Sequence, residues 1–252
     1  MSTLPIYTAD HEYFDNINTE AKAYWLGFLY ADGHIQVLHR QNNVKKVMEL
    51  TLKRSDEPHL YLLRACLNSN HRVYQGGQIG RSGNRDFNSS LKIVSPTLVD
   101  SLIKHGATPK KTYTIKWPVL PEHLLRHFLR GYFDGDGCVQ LITSPYLDAK
   151  FQFTSNIEFS TEAQLYLASN CGLSLTKLSD VNGKGIVKVT YGGSQQVSRI
   201  GKFLYDGASV FLPRKYEIFQ CLWNLTPPAR IPQHISHASH LPEQSGVPGG
   251  IL

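Results

Sequence analysis

The stretch Leu129–Gly137, LRGYFDGDG, crowds rings and glycines into one apolar segment and ends on two aspartates around a glycine. A buried helix ordinarily avoids glycine, which costs up to about 1 kcal/mol against alanine. An earlier stretch, Trp25–Gly33 (WLGFLYADG), has the same pattern, with Asp32 where the later one has Asp136. A shift of 104 residues relates the two, and it also carries Lys111 in TPKKTYTI onto Lys215 in LPRKYEIF. Two distant anchors with one offset mark an internal repeat.

The segments between the anchors follow one plan. In the first copy the motif helix leads to strands at HIQVLHR and KKVMELTLK, a helix at EPHLYLLRACLN, strands near HRVYQGG and RDFNSSLKIV, and a helix opened by Ser95 and Pro96 and closed by Gly106. Alternation sets Met48, Leu50 and Leu52 on one strand face and Val47, Glu49, Thr51 and Lys53 on the other. Phe87, Leu91 and Ile93 likewise oppose Asp86, Asn88, Ser90 and Lys92. The second copy sets Phe151 and Phe153 against Lys150, Gln152 and Thr154, and Val187, Val189 and Tyr191 against Lys188 and Thr190. The expected fold is therefore α+β: two pseudo-symmetric αββαββα repeats, each an antiparallel sheet with helices on one side and a polar, lysine-bearing face uncovered. Expected boundaries are 1–112 for the first repeat, 113–119 for a linker, 120–225 for the second repeat and 226–252 for a disordered tail rich in Pro, Gly, Ser and His. His234, His237 and His240 in that tail lack the flanking ligands of a metal site.

The spacing of Gly27 with Ala31 and of Gly131 with Gly135 gives each motif helix a smooth stripe four residues apart. Stripes that face each other would dock the halves and bring Asp32 and Asp136 out side by side. Paired carboxylates repel, and a hard divalent ion relieves the conflict. Mg²⁺ suits two lone aspartates because it keeps water ligands and shares phosphate oxygens; such ions support phosphodiester hydrolysis. A calcium loop does not fit DGDG, because Cys138 and Val139 occupy positions that need a ligand and a glycine. The alternative is that both aspartates simply cap turns.

These residues resemble the LAGLIDADG homing endonucleases in their single-chain, two-motif form: WLGFLYADG and LRGYFDGDG stand where the family's signature stands, and the likeness of layout spans residues 18–225. The resemblance implies a saddle of two sheets that straddles duplex DNA, cuts both strands across the minor groove and uses Asp32 and Asp136 to bind catalytic Mg²⁺, with Ala31 and Gly135 counted in the metal-binding set. Tyr30 replaces the signature's first aspartate, which Asp134 keeps; that position is less closely tied to the metals. By similarity Lys111 and Lys215 are core lysines that stabilise charge on the phosphate, and Lys53 and Asn156 stand at strand ends where relatives order the attacking water. Expected DNA contacts are His34, Gln36, Arg40, Glu49, Thr51, Arg72, Tyr74, Asp86, Asn88 and Lys92 in the first half, and Gln140, Gln152, Thr154, Lys177, Lys188 and Thr190 in the second, with the loops GRSGNRD and DVNGKG extending the footprint. Because the halves differ at nearly all of these positions, the target is expected to be asymmetric and one chain to suffice. An intron RNA maturase or a non-cleaving DNA-binding protein of the same fold is the alternative, and an intein-borne nuclease is disfavoured by the absence of splice-junction residues at the ends.

The bulk properties accord with this reading. The 252 residues are 41% hydrophobic and carry 26 Lys and Arg against 20 Asp and Glu, a formal charge of +6 and a pI near 9.1, which suits a polyanionic partner. No apolar run is long enough to span a bilayer, and the N-terminal residues show no export or organelle signal, so an intracellular setting is expected. Cys66, Cys138, Cys171 and Cys221 have neither zinc nor disulfide spacing and are expected to fill the core.

Overall fold

The computed structural model describes residues 7–40, 43–79, 85–109, 111–144, 146–181 and 183–225; the tail with its three spaced histidines and most of the loop GRSGNRD lie outside them. The first repeat comprises α1 (Glu20–Ala31), β1 (Gly33–Arg40), β2 (Asn43–Lys53), α2 (Glu57–Cys66), β3 (Val73–Ile79), β4 (Arg85–Val94) and α3 (Pro96–Lys104). The second comprises α4 (Glu122–Asp136), β5 (Cys138–Ile142), β6 (Asp148–Asn156), α5 (Ile157–Cys171), β7 (Ser179–Asp180), β8 (Ile186–Gly192) and α6 (Ser194–Tyr205). This is the αββαββα plan twice, followed by a further helix, α7 (Pro213–Leu225). The sheets are antiparallel with matching orders, β1-β2-β4-β3 and β5-β6-β8-β7. No helix among the described residues is long and apolar enough to cross a membrane.

Local chemistry sets the helix starts. Thr19 caps α1 by accepting from the Lys22 amide, and Ser95 caps α3 by accepting from Leu98 with Pro96 at the first turn. The inner sheet faces bury Met48, Leu50, Leu91 and Ile93 on one side of the molecule and Phe151, Phe153, Val189 and Tyr191 on the other. Phe87 and Val47 depart from the alternation expected of them. Phe87, opposite Gly77 in the β3–β4 ribbon, is 55% exposed, and Val47 is buried although it belongs to the outer face. Of the four cysteines only Cys171 is fully buried, and Cys221 is exposed on α7, so core filling does not describe them all. The connector after the first repeat is anchored: Ile115 is 3% exposed, and Trp117 lies against Phe128, Phe159 and Tyr166.

α1 and α4 dock backbone to backbone. A β-carbon on Gly27 would run into the Phe128 carbonyl and lie 2.9 Å from the Tyr132 nitrogen. One on Gly131 would run into the Tyr24 carbonyl and lie 2.9 Å from the Phe28 nitrogen. The two helices thus grip each other through equivalent atoms about a pseudo-twofold axis, and further along Gly135 meets Ala31. The stripes do face each other, and the missing side chains are what permits the approach.

A buried ionic lock braces the start of α1. Arg130 is 0% exposed and donates to Glu20 Oε1 (2.7 Å), His127 Nδ1 (2.9 Å) and the carbonyls of Leu204 (2.7 Å) and Val210 (2.9 Å). Glu20 also accepts from the Ser209 amide at 2.7 Å, so one carboxylate ties α1 to α4 and to the α6–α7 connection. Removing it strands a buried guanidinium. Glu20→Ala is expected to cost about 3 kcal/mol in urea unfolding, whereas Glu158→Ala, which loses an exposed pair with Lys116 and a first-turn charge on α5, should change it by about 1 kcal/mol or less.

Candidate active site

Asp32 is the C-cap residue of α1, and Asp136 closes α4. Gly137 turns the chain from α4 into β5 in a space that a side chain cannot share, since its β-carbon would lie 2.6 Å from the Phe133 oxygen and closer still to the Phe133 ring. The helix docking therefore fixes where the acids emerge: a β-carbon on Gly135, the residue before Asp136, would lie 3.6 Å from the Asp32 carboxyl carbon. Both aspartates remain open to solvent at this end of the interface. Beside them is a cleft of about 270 Å³ lined by Tyr30, Ala31, Lys111, Tyr132, Asp136 and Thr154, among others.

Charge is concentrated here. Desolvation at the crowded helix ends, with repulsion from Asp136, pushes Asp32 up to about 6 despite opposing pulls from Lys215, Lys111 and Arg214. Desolvation also raises Asp136, against Lys111 and Lys215. Burial lowers Lys111, which both aspartates resist, and lowers Lys215 to about 8. A carboxyl whose folded pKa exceeds its unfolded value holds an extra proton in the fold between about pH 4 and 6, so its contribution to stability falls as pH rises through that window. In chelator, Asp32→Asn should therefore melt above the parent protein at pH 7.5, and the difference should shrink by pH 4.5; thermal denaturation at the two pH values checks it.

The donor set suits a hydrated hard cation. It offers two solvent-facing carboxylates whose mutual repulsion such an ion removes, and no group of three or more His, Cys, Asp or Glu among the described residues offers a complete cage. Ala31 and Gly135 meet each other immediately before the two aspartates.

Position 134 carries a role that motif reading missed. Asp134 is 0% exposed and accepts from Tyr24 Oη (2.8 Å), Tyr205 Oη (2.5 Å) and the Leu212 amide (2.7 Å). At the equivalent place Tyr30 donates to the His105 carbonyl. Each side chain tethers the segment that follows the last helix of its repeat, and that segment leads to Lys111 or Lys215. Tyr24 reaches Asp134 from the opposite half, a pairing that no local spacing announces.

The remaining candidates separate. Lys53 is exposed at the end of β2, opposite Asn88. Asn156 is 6% exposed, accepts from the Phe159 amide (2.9 Å) as the cap of α5 and donates to the Ile115 carbonyl (2.8 Å). Its amide is thus occupied by the fold, and an Asn with an acidic residue in the next turn is itself a helix-start signal.

On the outer face of the first sheet, register places His34, Glu49 and Lys92 in one row and Thr51, Ser90 and Tyr74 in the next. Lys92 pairs with Glu49 at 3.0 Å, Gln36 contacts His34, and Tyr74 is 55% exposed. Arg72 is exposed just ahead of β3; the side chains of Arg40 and Asp86 lie outside the described residues. On the second sheet Cys138, Gln152 and Thr190 form a row, and Thr154, Lys188 and Ser179 the next. Gln140 pairs with Lys150, an exposed cation on this face that belongs with the predicted set, and Lys177 is exposed before β7.

No protein-family profile and no curated protein matches the sequence. The fold has clear counterparts among solved structures. The meganuclease I-SmaMI bound to uncleaveable DNA is 14% identical, with a TM-score of 0.57 over 82% of this chain and 90% of that one. The LAGLIDADG meganuclease I-AabMI bound to uncleaved DNA is 12% identical, with a TM-score of 0.53 over 82% and 90%. The LAGLIDADG homing endonuclease I-GzeII in complex with its DNA target is 11% identical, with a TM-score of 0.55 over 83% and 89%. The protein has the two-sheet saddle fold of the single-chain LAGLIDADG homing endonucleases.

Proposed function

We propose that this chain is a site-specific double-stranded DNA endonuclease that hydrolyses phosphodiester bonds with Mg²⁺ at a long asymmetric target, working as a single chain. The observation that carries the reading is the emergence of Asp32 and Asp136 together, open to solvent, at the end of a helix pair flanked by two sheets with polar outer faces. Support comes from solved proteins of the same fold that are described as bound to DNA.

The outer sheet rows supply groups that reach base edges, and the net charge of +6 draws the phosphate backbone. Asp32 and Asp136 would hold the cation, which supplies a polarised phosphate and an activated water when bound. Lys111, lining the cleft with Asp136, faces the charge that develops on the phosphate oxygens as water adds and a P–O bond breaks. Unlike rows in the two halves match an asymmetric target. The test is a plasmid carrying the rejoined sequences that flank the chain's own gene, incubated with the protein and Mg²⁺: linear product supports the reading. Tight binding of that DNA with no cutting under Mg²⁺ or Mn²⁺ would replace it with a binding role.

A further inference from the structure

The two lysines related by the repeat are not equivalent in space. Lys215 lies on α7, is 2% exposed and donates to three carbonyls: Phe133 (2.5 Å), Asp134 (2.8 Å) and Gly137 (2.6 Å). An ammonium has three N–H donors, so the fold uses all of them. Their acceptors are in the last turn of α4 and just beyond it, where helix carbonyls run short of intrahelical donors; the Phe133 carbonyl also accepts from the Gly137 amide at 2.8 Å. Lys111 begins a short 3-10 turn, is half-buried and has one hydrogen bond among the described residues, to the Gly33 carbonyl. Its remaining donors are available to the cleft that it lines with Asp136, Tyr132 and Thr154.

We infer that the lysines have divided the labour: Lys215 is a positioning residue that caps α4 and holds Asp136, whereas Lys111 is the cation presented to substrate, so the two cutting centres are unequal. The inference rests on the nuclease reading for its substrate but not for the cap. To touch a phosphate, Lys215 would have to give up three carbonyls at once, leaving that of Phe133 to the Gly137 amide. Lys111 need release at most one. The strand whose scissile phosphate enters the Lys111 cleft meets a charged donor, and the other strand receives none from Lys215.

The test pairs thermal denaturation without DNA with strand-resolved cutting of the flank-derived duplex, each strand carrying its own end label. Lys215→Met should lower the melting temperature by at least about 5 °C, and Lys111→Met should shift it by less than about 2 °C. Lys111→Met should slow one strand by about 10²-fold while the other changes by less than about threefold. If Lys215→Met does not fold, the cap is supported and Lys111→Met carries the catalytic arm. Equal slowing of both strands by Lys111→Met, or a fully stable Lys215→Met that loses cutting, would overturn the inference. A parent protein that cuts neither strand sinks the nuclease reading alone, and the melting comparison still judges the cap.

Discussion

Replacing Asp32 by asparagine is expected to reduce DNA cleavage by at least about 10²–10³-fold, with Asp136→Asn doing the same. The substitution keeps shape and hydrogen-bonding capacity but removes half of the negative charge that would attract a divalent ion. The stability consequence has the opposite sign. Each carboxylate is raised by desolvation, and Asp32 also by its neighbour, so losing one relieves the metal-free fold. Lost cutting with an unchanged or higher melting temperature in chelator, and with retained DNA binding, separates a catalytic role from a structural one. Both variants cutting at the parental rate would remove the acids from the mechanism.

The second large effect is on folding. Alanine for glycine inside a helix normally stabilises by about 1 kcal/mol, yet Gly27→Ala and Gly131→Ala should each destabilise by about 3 kcal/mol or more. The added carbon would overlap a main-chain carbonyl of the opposite helix, which has no rotamer by which to move aside. Relief requires the helices to separate, and that opens the packing of Tyr24, Phe28, Phe128 and Tyr132, all 2% exposed or less. Gly192→Ala, where a β-carbon meets nothing within 4 Å, is the control. Urea midpoints measure all three, and midpoints for the interface variants at or above the parent's would contradict the docking geometry.

The repeat could be read because its signals are local. Small residues four apart, alternation along β2, β4, β6 and β8, and the Ser-Pro start of α3 each report on neighbours in the chain. The extra helix α7 has no counterpart after Lys111 in the first repeat, so the repeat pattern does not announce it. The state of Lys215 itself was hidden, since its carbonyl acceptors lie about eighty residues away and become a cage only when α7 packs on α4. Asp134 was passed over for the same reason: Tyr24, Tyr205 and Leu212 converge on it from three remote segments. Asn156 is different, because its helix-start pattern, an Asn followed by Glu158, is local and legible. Alternation failed at Phe87 because the period of a strand says which side a residue faces, not whether a helix covers that side.

Polar ties that cross between the halves include Tyr24 to Asp134, Glu20 to Arg130 and to the Ser209 amide, and Arg214 to Asp56 at 2.9 Å. For anyone recombining saddle proteins to build new cutters, this seam sets the rules of grafting. A chimaera that joins residues 1–112 to a foreign C-terminal half inherits Tyr24, Glu20 and Asp56 without their counterparts. Matching the helix glycines is then insufficient, and the donor half must bring an acid at position 134 and arginines at 130 and 214, or the orphaned groups must be replaced together.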